Sequence, residues 1–142
     1  MSDEAPLSHF DPLIGHWKLE TGRDGQFDEG GTMALAWLGE KSFIVMRCDN
    51  VDGGPPSASV VIGADGDSGI CIALYHDVRG VSRVYATSFQ DGVWRMRRDH
   101  EGFQQRFEVR LSEDGQQMTG HWQKNTGDSW EHDFDVLYTR TS

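Results

Sequence analysis

Short glycine-centred turn motifs cut this chain into segments that alternate apolar and polar residues. They are Asp52-Gly53-Gly54-Pro55-Pro56, Asp65-Gly66, Asp91-Gly92, Asp114-Gly115 and Thr126-Gly127-Asp128. Asp-Gly pairs tolerate the positive φ that a tight hairpin needs, so each motif turns the chain back on itself. A first strand is predicted to open at Gly15, followed by strands near 31–38, 42–49, 57–64, 69–76, 81–90, 93–99, 103–112, 116–124 and 130–140. No segment carries a long helical period. About ten short antiparallel strands joined this way predict an all-β, up-and-down barrel.

The last strand has the clearest pattern. Trp130, His132, Phe134, Val136 and Tyr138 alternate with Glu131, Asp133, Asp135 and Thr139. Side chains point to opposite faces in turn along a strand, so the first set should face a core and the second water. His132 would then be a lone polar residue among inward aromatics.

Tight turns also set register. Across Asp91-Gly92, Phe89 should face Trp94, Thr87 Met96 and Tyr85 Arg98. Across Asp114-Gly115, Leu111 should face Met118, Val109 Gly120, Phe107 Trp122 and Gln105 Lys124. Equal parity in the next loops would set Arg98 against Gln105, Trp122 against His132 and Gly120 against Phe134. A four-residue turn, Asp77-Val78-Arg79-Gly80, would turn Ile70, Ile72 and Leu74 inward, beside Thr87, Tyr85 and Arg83. The interior then runs from an apolar end (Phe89, Trp94, Val109, Leu111) to a polar one. Arg83, Tyr85, Met96, Arg98, Gln105, Phe107, Trp122, Lys124 and His132 are the candidate ligand-binding residues. Buried polar groups cost a few kcal/mol each unless paired. That end is therefore either a wet cavity or a hydrogen-bonded network sealed by Asp77 or Asp99.

Residues 1–8 read as a flexible tail and 9–142 as one barrel domain. His9 to Ile14 forms a helical turn that plugs a barrel end, with Asp11 as its cap and Pro12 in the first helical position. Residues 22–30 read as a flexible loop and a lid. A formal charge of -10 disfavours nucleic acid and anionic membranes as partners. With no apolar run near the ~20 residues of a membrane span and no secretory signal, a cytoplasmic protein is expected. Cys48 and Cys71 lack CxxC spacing and read as reduced, packed thiols.

The six histidines show no metal-ligand spacing, and no phosphate-binding or nucleophile motif occurs. A histidine desolvated between Trp122 and Phe134 could move a proton near neutral pH, and Arg98 could hold a carboxylate or enolate.

Several motifs carry a resemblance: Gly15-His16-Trp17, the run Trp37 to Phe43, Tyr75-His76-Asp77, Gly120-His121-Trp122 and Trp130 to Asp135. Together they resemble uncharacterised bacterial lipocalin-like barrels of the calycin and nitrobindin type, over nearly the whole chain. The resemblance implies a barrel that holds a small apolar molecule. Nitrobindin-like proteins bind ferric haem through a histidine close to the C-terminus. This chain ends Leu137-Tyr138-Thr139-Arg140-Thr141-Ser142 without one, so haem would need His132 or another residue.

Three functions are compatible with these features. The first is binding of a small, largely apolar ligand with an anionic group at Arg98, without a cofactor. The second is a small cyclase or isomerase using His132 as acid and base, and the third a haem protein. A homodimer paired through an exposed strand edge is compatible with each.

Overall fold

The structure, a computed structural model, describes residues 6–142. A short 3-10 helix, Ser8–Leu13, precedes ten strands. These are β1 (Gly15–Arg23), β2 (Gln26–Leu38), β3 (Phe43–Asp49), β4 (Ala58–Ala64), β5 (Cys71–Asp77), β6 (Ser82–Gln90), β7 (Val93–Arg98), β8 (Gln104–Leu111), β9 (Gln117–Asn125) and β10 (Glu131–Arg140). Each strand pairs antiparallel with its chain neighbours, and β1 closes on β10. Closure gives every strand a partner on both sides, and β2 extends beyond its ladder with β3, which begins at Thr32 and Asp49.

Alternation builds the core. Trp17 and Leu19, Met33 and Leu35, Ile44 and Met46, Val60 and Ile62, Phe107 and Val109 are buried at every second position of their strands. The helix seals one end, with Leu7, Phe10 and Leu13 fully buried and Phe10 lying 6.3 Å from Phe89 between ring centroids. Arg140 fastens this plug. Its guanidinium lies 4.2 Å over the Trp17 ring and donates to the carbonyls of Ile14, Pro12 and Gly115. Trp17 Nε1 donates to the Leu13 carbonyl at 3.0 Å.

The two Asp-Gly hairpins keep the expected registers. Phe89 faces Trp94, Thr87 faces Met96, Phe107 faces Trp122 and Gln105 faces Lys124. Arg98 pairs with Gln105, whereas the β6–β7 ladder stops at Ala86 and Arg97, one pair short of Tyr85 and Arg98.

Elsewhere single residues change the parity. The Asp77 N–H donates to the Val81 carbonyl, so the β5–β6 loop has three residues, with Gly80 at φ +81°. Counting four put every side chain of β5 on the wrong face. Cys71, Ala73, Tyr75 and Asp77 point inward, while Ile70 and Leu74 are exposed. In β10 a bulge at Asp133 separates His132, paired with Gln123, from Phe134, paired with Trp122. The extra residue turns Trp130 and His132 outward. Trp130 stacks under the Arg106 guanidinium at 3.7 Å, and Gly120 faces Val136 rather than Phe134.

The lid expected at 22–30 is a continuous hairpin of β1 and β2. Asp24 and Gly25 both have positive φ, the type I′ turn that the sequence spells there. Asp11 and Pro12 lie inside the 3-10 helix, which has Leu7 at its N-cap and no side-chain cap. Of the tail expected over 1–8, residues 1–5 lie outside the described residues, and Leu7 belongs to the core.

Candidate functional site

A cavity of about 790 Å³ opens at the barrel end opposite the helix. Its depth is apolar, lined by Leu19, Met46, Met96, Phe107, Val136 and Tyr138. Aromatic rings form one wall in edge and tilted contacts: Tyr75 to Tyr85 at 5.9 Å, Tyr85 to Trp122 at 5.8 Å, and Trp122 to Phe107 at 4.9 Å. Seven of the nine candidates line this space: Arg83, Tyr85, Met96, Gln105, Phe107, Trp122 and Lys124.

Arg98 and His132 do not. Arg98 ends β7 and its Nε is buried without a hydrogen-bond partner among the described residues. His132 stands on the outer wall, half exposed, with Nε2 3.3 Å from Asp135 and its ring 6.0 Å from that of His121. The bulge at Asp133 is the cause. Among the described residues no histidine lines the cavity. Among the described residues no group of three His, Cys, Asp or Glu side chains is placed to hold a metal ion.

The mouth reverses the charge of the chain. Against -10 overall, it gathers Arg23, Arg79, Arg83 and Lys124 around Asp28 and Asp133. Asp133, brought in by the bulge, takes Arg23 at 3.2 Å and Lys124 at 3.8 Å. Arg79 belongs to Asp77, whose enclosed carboxylate accepts from Arg79 Nη2 at 2.7 Å, from the Arg79 backbone N–H at 2.9 Å and from the Tyr75 hydroxyl at 2.8 Å. Arg83 alone of the four has no carboxylate within ion-pair distance among the described residues. Its Nη1 donates to Gln105 Oε1 at 3.4 Å, and its guanidinium lies 4.9 Å over Phe103.

The network that could have sealed this end forms only in part. Tyr85 donates to Gln105 Oε1 at 2.6 Å, and the space beside the pair stays open. Burial raises the phenol of Tyr85 above its ordinary range, against the opposing pull of Arg83. Burial does the same to Tyr75 and Tyr138 and pushes the Cys48 thiol up to about 12. These groups stay protonated at neutral pH, and Tyr75 and Tyr85 act as neutral donors to Asp77 and Gln105. Tyr138 is 4% exposed, lines the cavity and has no hydrogen-bond partner among the described residues. The candidate list lacks Tyr75, Asp77, Arg79, Asp133 and Tyr138. The spacing Asp77-Val78-Arg79-Gly80 carries a signal for the second and third: an aspartate accepts from the backbone two residues on and pins its turn.

No family model and no curated protein matches this chain. Among solved structures it is similar to a redesigned beta barrel, with 14% identity and a TM-score of 0.44 over 99% of this chain and 100% of that one. The ten-strand barrel is shown by its own strand pairing.

Proposed function

We propose that the barrel binds a small, largely apolar molecule, as the resemblance to lipocalin-like barrels implies, and that an anionic group of this molecule meets Arg83 at the mouth. The observation that carries this reading is the uncompensated Arg83 above an apolar, aromatic pocket in a strongly acidic chain. An exposed cation needs no partner, but one held half-buried between Phe103 and Gln105 gains from a ligand anion that returns part of its lost hydration. The volume of about 790 Å³ lies within the ~300–1,000 Å³ usual for small-molecule sites. The free hydroxyl of Tyr138 offers a deep hydrogen bond to a carbonyl or hydroxyl of the ligand. Arg83 therefore takes the role that the spacing assigned to Arg98. Two free cysteines support a cytoplasmic location.

The test is a titration with 1-anilinonaphthalene-8-sulfonate, displaced by oleate or by oleyl alcohol. Oleate should displace it more tightly. Arg83→Met should weaken oleate by about 10- to 150-fold, the equivalent of a charge-assisted hydrogen bond of ~1.5–3 kcal/mol, and leave oleyl alcohol unchanged. Absence of saturable binding, or equal loss of both competitors, would refute the reading.

A further inference from the structure

Among the described residues four hydroxyl groups line the cavity, those of Thr21, Tyr75, Tyr85 and Tyr138. Two are engaged: Tyr75 donates to Asp77 at 2.8 Å and Tyr85 to Gln105 at 2.6 Å. Thr21 and Tyr138 are 7% and 4% exposed, and neither hydroxyl has a hydrogen-bond partner among the described residues. Nor is either oxygen sealed off from the cavity. The fully enclosed side-chain nitrogen and oxygen atoms without a partner among those residues are Arg98 Nε and Arg106 Nε. Both hydroxyls stand on one seam of the barrel. β1 and β10 pair Leu19 with Tyr138 and Thr21 with Val136, so the two side chains point inward from adjacent strands, Thr21 nearer the mouth. Tyr138 is the deeper, since the next pair on that face is Trp17 with Arg140, where the plug is fastened. Its neighbours Leu19, Met118 and Val136 are buried and apolar, and a phenylalanine would fill the same volume among them without a polar atom. A hydroxyl withdrawn from water and left without a partner is destabilising.

We propose that Tyr138 is a second polar anchor of the cavity, and that the ligand is a long-chain acid carrying a hydroxyl or carbonyl about nine or ten carbons from its carboxyl end. This rests on the reading that an anion meets Arg83. The neutral phenol donates to a carbonyl or accepts from a hydroxyl, so either oxygen function fits. The spacing follows from the ladder. Arg83 reaches Gln105, Gln105 pairs with Lys124, and Lys124 lies 3.8 Å from Asp133, so these groups share the level of the mouth. From Phe134, next to Asp133, to Tyr138 is four residues along β10, about 13 Å at ~3.3 Å per residue. At a strand tilt of about 40° this is roughly 10 Å along the barrel axis. An extended hydrocarbon chain advances about 1.3 Å per carbon, so some eight carbons separate the two polar anchors. Between them the wall is apolar, with Met46, Met96, Phe107 and Val136. The cavity of about 790 Å³ leaves room for the chain beyond the oxygenated carbon to turn back.

Displacement of the anilinonaphthalene probe from the full chain by stearate, 10-hydroxystearate and 2-hydroxystearate tests it. The two hydroxy acids have the same composition and differ only in where the oxygen falls. Wild type should bind 10-hydroxystearate about 2- to 10-fold more tightly than stearate, the gain of one net hydrogen bond, and 2-hydroxystearate no more tightly. In Tyr138→Phe the order should reverse, with 10-hydroxystearate about fivefold weaker than stearate or more, because the ligand hydroxyl is then buried unpaired. The ratio of two acids within one variant cancels any loss of stability, and the wild-type comparison needs no variant. Arg83→Met should weaken stearate and 10-hydroxystearate by the same factor. Stearate binding that depends on Arg83, with no preference for 10-hydroxystearate or with a preference that survives Tyr138→Phe, would overturn this inference and leave the proposed function standing. Absence of saturable binding by all three acids would overturn both.

Discussion

Asp77→Asn is the substitution whose outcome follows most directly from the contacts in the structure. The carboxylate is enclosed, ties Tyr75 to Arg79 and caps the three-residue loop between β5 and β6. Asparagine has nearly the same volume but one acceptor fewer, and it turns N–H donors towards the Arg79 guanidinium. Arg79 is half exposed, so its ion pair is screened and contributes at most about 1 kcal/mol. Leaving the half-buried Tyr75 hydroxyl unpaired costs about 1 kcal/mol more. The expected loss of ~2 kcal/mol lowers Tm by roughly 6–10 °C at this chain length. The pH dependence has a definite sign. Arg79, more than any other group, holds the Asp77 carboxyl far below the usual carboxylate range, outweighing burial. A folded-state pKa below the unfolded value of about 3.9 stabilises fully above that value and is lost as pH falls through the folded one. Thermal unfolding followed by circular dichroism should therefore show a constant gap between wild type and variant from pH 7 to 5. Below about pH 4 the gap should narrow, by ~1 kcal/mol at pH 3. A gap unchanged at pH 3, or none at pH 7, would refute the account of the loop.

Gly120→Ala should destabilise the barrel by about 1–3 kcal/mol in urea unfolding, because a Cβ there would sit 1.8 Å from the Glu108 carbonyl oxygen. Equal parity sets this glycine against Phe134; in the barrel it pairs with Val136 and lies close against the backbone of Glu108 and Val109. His132→Ala should change stability by less than ~0.5 kcal/mol, as other surface substitutions do, and leave displacement of the fluorescent probe by oleate intact. A large effect on either would return His132 to the site.

Much of the architecture can be read from the sequence because its causes are local. Asp91-Gly92 and Asp114-Gly115 impose hairpins, and period-two alternation then fixes which residues of β6 to β9 face inward. Tyr85, Gln105, Phe107, Trp122 and Lys124 could thus be placed together from turn chemistry alone. Counting fails where one residue more or less leaves the same local signal. The three-residue loop after Asp77 reverses the faces of β5, and the bulge at Asp133 reverses only the start of β10, turning Trp130 and His132 outward while Val136 and Tyr138 stay buried. Barrel closure settles both, since β10 must meet β9 and β1 at once and β5 must meet β4 and β6. Only the closed barrel exchanges His132 for Asp133 at the mouth and leaves Arg83, alone of the four cations there, without a carboxylate within ion-pair distance among the described residues. Those positions depend on pairing between distant strands, and no turn motif along the chain encodes them.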